Sequence, residues 1–166
     1  MKILIAGVGN VLRGDDGFGV KVAQSLSQNN SFPDGVKVFE AGIAGIPLVH
    51  ELMDDYDALI IADAIERGGA PGTIYVIEPD ISDSSAFDPA AFHSSLADAH
   101  YTEPSKVLVL AKAIGVLPPK VFVVGCQPAG YDELGAELSD AVKGAVQVAV
   151  SRIETLVETL NHQETA

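Results

Sequence analysis

Apolar residues along the chain gather into short continuous runs, broken by glycine-rich loops and separated by stretches with helical spacing. Lys2-Ile3-Leu4-Ile5-Ala6 is the first run, the pattern of a parallel strand covered on both faces. Val20, Ala23 and Leu26 then recur at helical spacing in a segment ending near Asn29 and Asn30. A turn over Ser31–Gly35 leads into a second strand, Val36–Phe39, ended by Glu40. Past the small-residue loop Ala41–Gly45, a short helix covers Ile46–Met53, and Ala58–Ala62 is a third strand that ends at Asp63. Arg67–Gly72 read as a turn and Thr73–Ile77 as a fourth strand. Its short link to the third leaves little room for a crossover helix, so an antiparallel edge strand is expected.

From Glu78 to Glu103 no period is sustained. Pro104 suits a helix start, and Val107, Leu108, Ala111 and Ile114 form a stripe that Gly115 stops. Lys120–Val124 is a further buried strand, running into the loop Gly125–Gly130. The last helix starts near Ser139 with Val142, Val146, Val150, Ile153 and Val157 on one face, and from Asn161 a polar tail follows. Strands alternating with helices predict a three-layer α/β/α sandwich around a mostly parallel sheet. The expected organisation is one domain over 1–160 with a tail at 161–166.

The loop after the first strand, Gly7-Val8-Gly9-Asn10-Val11-Leu12-Arg13-Gly14-Asp15-Asp16-Gly17-Phe18-Gly19, organises the rest. It is not a dinucleotide fingerprint. Leu12 stands where the third glycine belongs, and no acid ends a strand about 20 residues further on. Asp15 and Asp16 would also repel a phosphate at the helix N-terminus. Capping of the helix accounts readily for one of the two aspartates but not for both. Ligands of such sheets bind beyond the carboxyl ends of the strands, which singles out Asp16, Glu40 and Asp63.

Composition narrows the partners. With 23 acidic and 10 basic residues the formal net charge is −13, against nucleic acid or an anionic membrane as partner. The single cysteine, Cys126, allows no internal disulfide and fits a reducing compartment; no signal peptide or membrane span is evident, and a cytoplasmic location is expected. Of four histidines, His50 lies in a helix and His162 in the tail, while His93 and His100 lie in the aperiodic segment. His100 is the better site candidate, since it precedes the Pro104 helix and has Asp98 nearby to orient an imidazole. Two carboxylates and an imidazole suit a divalent metal such as nickel or zinc. Two close carboxylates can also share a proton and activate water. A Cys126–His100 nucleophile and base is a further arrangement, although a small apolar residue is ordinary at a buried strand end.

These residues carry a resemblance. Gly7-Val8-Gly9-Asn10 with Asp15-Asp16-Gly17-Phe18-Gly19, Glu40-Ala41-Gly42-Ile43-Ala44-Gly45, Ile60-Ile61-Ala62-Asp63-Ala64 with Pro71-Gly72, Asp98-Ala99-His100 leading into Pro104, and Val123-Val124-Gly125-Cys126-Gln127-Pro128 occur in one order across nearly the whole chain. Together they resemble the NiFe-hydrogenase maturation endopeptidases, which remove a C-terminal extension from the hydrogenase large-subunit precursor. The resemblance implies a five-stranded mixed sheet of order 2-1-3-5-4 with strand four antiparallel. It implies metal contact by Asp16, Asp63 and His100; Asp16 and Asp63 are also the candidate catalytic carboxylates, either activating water or only binding the metal. It also implies that the nickel is carried by the substrate, that the enzyme holds no tightly bound metal of its own, and that a monomer acts on the precursor. Many members carry Glu where this chain has Asp16, and Asp where it has Glu40. The alternatives are a nickel-responsive chaperone that senses the precursor without cutting it, and a small nucleotide-binding module.

Overall fold

The computed structural model describes residues 1–29, 32–43, 45–81, 104–131, 134–135 and 137–164. In chain order these form β1 (Ile3–Val8), a single 3-10 turn (Gly14–Gly17), α1 (Phe18–Asn29), β2 (Val36–Gly42), α2 (Gly45–Leu52), β3 (Ala58–Ala64), β4 (Ile74–Ile77), α3 (Pro104–Ala113), β5 (Lys120–Cys126) and α4 (Asp140–Glu164). The strands make one sheet in the order β2-β1-β3-β5-β4. β1 pairs in parallel with β2 and β3, and β3 in parallel with β5, while β4 runs antiparallel to β5 at the edge. Both the strand order and the reversed edge strand are as expected.

The apolar runs become the middle of this sheet for a simple reason. Every residue of β1, and every residue of β3 up to Asp63, is buried. Strand side chains alternate between faces, so each run feeds two cores. Ile3, Ile5, Ala58 and Ile60 pack against Phe18, Val22 and Leu26 of α1 and against Val142, Val150 and Ile153 of α4. Leu4, Ala6, Leu59 and Ile61 pack against Leu48 and Leu52 of α2 and against Val107, Leu108 and Ala111 of α3. The result is the three-layer α/β/α sandwich. No described helix is long and apolar enough to cross a membrane.

Two glycines fix how α1 enters. A Cβ on Gly19 would lie 2.0 Å from the Ala62 carbonyl oxygen and 2.3 Å from that of Val8. The first turn of α1 therefore rests directly on the ends of β1 and β3. Gly9 has φ 131°, and a Cβ there would meet the Asp16 carbonyl oxygen at 1.8 Å; only glycine takes that bend so close to another backbone. The loop is folded back until the turn bearing Asp15 and Asp16 lies over the strand ends.

Candidate active site

Asp16 sits on the 3-10 turn after β1, and its Oδ2 accepts the backbone N–H of Asn10 at 3.1 Å. Asp63 is the next-to-last residue of β3, paired in register with Gly125 of β5. The two line one cleft of about 660 Å³, walled by Glu66 and Arg67 after β3, Glu78–Asp80 after β4, Pro104 and Leu108 of α3, Val123 of β5, and Tyr131. Two other hollows, of about 610 and 550 Å³, contain neither aspartate.

The electrostatics of the pair follow from its place in the sheet. Asp63 is 5% exposed. Burial pushes its carboxyl well above the usual carboxylate range, the negative charge of Asp16 pushes in the same direction, and the backbone N–H of Ala64 opposes both. An isolated buried carboxylate is costly, so Asp63 is drawn toward its protonated form, and a cation placed directly against it would favour the ionised one. The sequence places Asp63 at the end of its strand; the structure carries β3 through to Ala64, so the carboxyl projects from regular, hydrogen-bonded sheet.

The other candidates separate from this pair. Asp15, 2% exposed, spends its carboxylate on structure: Oδ1 accepts the Ser139 N–H at 2.7 Å, and Oδ2 accepts the Ala129 N–H at 2.7 Å and the Ser139 hydroxyl at 2.9 Å. The capping expected of one aspartate is corrected by these partners. Asp15 ties the entrance of α4 and the loop after β5 to the first loop, and Asp16 holds Asn10. Glu40, expected among the strand-end acids, is not part of the cleft lining. β2 runs on to Gly42, so Glu40 lies within an edge strand, exposed, with its Oε2 accepting from Gln24 Nε2 at 3.0 Å.

Cys126 is fully buried at the end of β5. Burial, with the Asp15 charge adding and the Gly72 N–H opposing, pushes its thiol up to about 11, so it is no thiolate at neutral pH. His93 and His100 lie outside the described residues; His50 and His162 are exposed. No group of three His, Cys, Asp or Glu among the described residues is arranged to hold a metal.

Sequence reasoning passed over three polar groups beside the cleft. Gln127 is 3% exposed, and its Nε2 donates to Glu66 Oε1 at 3.0 Å. The Tyr131 hydroxyl donates to Glu66 Oε2 at 3.3 Å. Burial first, then the charge and hydrogen bond of Glu66, then the charges of Asp63 and Asp16, push the Tyr131 phenol far up, so it keeps its proton. Gln127 stood in a motif already noted, but a neutral side chain in a loop carries no sign of being buried.

Comparison with known proteins gives one answer. A family model described as hydrogenase maturation protease matches residues 20–156. The chain is 36% identical over 150 residues to the hydrogenase expression/formation protein HupM of Azotobacter chroococcum, covering 90% of this chain and 68% of that protein. It is 32% identical over 155 residues to the hydrogenase 2 maturation protease of Escherichia coli, covering 92% and 88% of the two. Among solved structures it is similar to the hydrogenase maturating endopeptidase HybD from E. coli, with a TM-score of 0.76 and 29% identity over 96% of this chain and 93% of that one.

Proposed function

The chain belongs to the hydrogenase maturation protease family and is a peptidase, and on that footing we propose that it removes the C-terminal extension of a nickel-loaded NiFe-hydrogenase large-subunit precursor. The observation that carries the reading is the Asp16–Asp63 pair in one cleft, with Asp63 buried and held toward its protonated form by burial and by its neighbour. A divalent cation suits such a pair, because it offsets two negative charges where a proton offsets one. Metal coordination takes the carboxylate and releases the proton. Arrival of the nickel thus switches Asp63 to the charged form in which it serves as ligand and as base toward water.

In this reading Asp16, Asp63 and His100 meet the nickel, and the metal arrives with the substrate. The protein acts as a monomer in the cytoplasm on a protein partner, not on nucleic acid or a membrane.

The test is to measure the metal content of purified enzyme and then assay metal-stripped enzyme on both precursor forms. Little stoichiometric metal is expected, with cleavage of the nickel-loaded precursor alone. Cleavage of metal-free precursor by zinc-loaded enzyme would make this an ordinary metallopeptidase. Asp16→Asn, Asp63→Asn and His100→Ala should each abolish processing in a folded protein. Normal processing by His100→Ala with none by His93→Ala would move the histidine role to His93.

A further inference from the structure

Gln127 is the buried polar side chain that the carboxylate chemistry does not use, and every hydrogen-bonding position it has is occupied. Its Oε1 accepts the N–H of Arg67 at 2.8 Å and of Gly69 at 3.3 Å; its Nε2 donates to Glu66 Oε1 at 3.0 Å and to the Pro128 carbonyl at 3.4 Å. A primary amide offers two donors and two acceptor lone pairs, so the side chain is saturated. Its backbone is fixed as well, donating to the Thr73 carbonyl at 2.9 Å and accepting from the Gly72 N–H at 2.8 Å. Three of the four side-chain contacts fall on Glu66, Arg67 and Gly69, just beyond Asp63 in the chain.

Glu66 is exposed, and an exposed glutamate is ordinarily left to water because ordering it costs rotamer entropy. Here it is held from two sides, by Gln127 Nε2 on one oxygen and by the Tyr131 hydroxyl on the other. Glu66 and Tyr131 line the same cleft as Asp16 and Asp63.

We propose that Gln127 is a positioning residue for peptide hydrolysis: it fixes the Glu66 carboxylate and, through it, the Tyr131 phenol on the cleft wall beside the aspartate pair. The inference rests on the peptidase reading above and names the arm that orients the peptide against the two acids. Only an amide meets all four demands. A carboxylate at 127 would face Glu66 across 3.0 Å with like charge and offer no donor, and a hydrocarbon would leave the Arg67 and Gly69 N–H groups without an acceptor.

Single-turnover cleavage of nickel-loaded precursor by excess enzyme tests this, with precursor affinity and thermal midpoint measured for each variant. Gln127→Glu should slow the cleavage step by about ten- to a hundredfold while leaving affinity within a factor of about three. Gln127→Glu combined with Glu66→Gln exchanges donor and acceptor across the contact to residue 66, leaves only the longer Pro128 contact unmade, and should recover most of the lost rate. Glu66→Ala, at an exposed position, should keep the thermal midpoint within about 2 °C and still show the slow step; it decides the matter if Gln127→Glu does not fold. Parent-like rates in Gln127→Glu or Glu66→Ala would overturn the proposal. So would a folded double variant no faster than Gln127→Glu, or weakened binding with an unchanged cleavage step. A parent enzyme that binds nickel-loaded precursor without cutting it would instead refute the peptidase reading itself.

Discussion

Replacing Asp15 by alanine should unfold the protein more readily, whereas replacing its neighbour Asp16 should not. The Asp15 carboxylate accepts three hydrogen bonds, at 2.7, 2.7 and 2.9 Å, from Ser139 and Ala129. Hydrogen bonds to a charged group contribute about 1.5–3 kcal/mol each. Three of them set an upper bound well above the expected loss, because Ala129 is exposed and Ser139 half-buried, so water can replace part of what is removed. The expected loss is about 3 kcal/mol, a substantial share of the roughly 5–15 kcal/mol that holds a domain together. For a chain of this size it would lower the melting temperature by roughly 6–12 °C. Asp15→Asn keeps one oxygen but turns an NH₂ group toward a donor, so it should fall between parent and alanine variant. Urea unfolding followed by far-UV circular dichroism measures the difference, with Asp16→Asn as control. The reasoning fails if Asp15→Ala unfolds within about 0.5 kcal/mol of the parent, the margin of an ordinary surface change.

Asp63→Asn should abolish cleavage and stabilise the metal-free protein at neutral pH. The folded-state pKa of Asp63 is raised, so its contribution is fully present below the ordinary carboxylate range and is lost as pH rises toward the folded value. The variant escapes that loss, and its advantage in melting temperature should vanish near pH 4; an equal advantage at both pH values would contradict the sign. Cys126→Ala should keep cleavage and lose no more than about 1–2 kcal/mol, and iodoacetamide should not inactivate the parent. Loss of turnover with intact folding and binding would restore a thiol mechanism. Gly19→Ala drives a Cβ onto the carbonyl oxygens of Ala62 and Val8, and overpacking against backbone should cost about 3 kcal/mol, visible in the same urea assay. A parent-like midpoint would mean that α1 does not rest on the strand ends as described.

The layers were legible because the strands are buried on both faces: Ile3–Ala6 and Ala58–Ala62 admit no other reading than apolar runs, and the glycine loops punctuate them. Asp63 stood out for the same reason, as the charged residue where an apolar run ends. Glu40 looked equivalent, but β2 is an edge strand with exposed positions, so an acid there needs no special purpose. Asp15 and Asp16 could not be told apart by spacing, because the partner that distinguishes Asp15 is Ser139, 124 residues away. The arm of Gln127, Glu66 and Tyr131 was hidden likewise: its key contact joins residues 61 positions apart, and nothing local marks Gln127 as buried.

The order β2-β1-β3-β5-β4 bears on how the enzyme comes into being. β4 is made before β5, yet β5 is its partner and separates it from β3. Until β5 is synthesised, β3 keeps one edge open beside Asp63 and β4 has no place in the sheet. The same late segment brings Val123 and Tyr131, which complete the cleft, Gln127, which holds Glu66 on its wall, and the donors that hold Asp15. Pairings this distant in sequence form slowly. From Asp63 to Cys126 a nascent chain therefore carries both aspartates without a complete cleft around them, and that cleft forms only once the last strand has slid between its two neighbours.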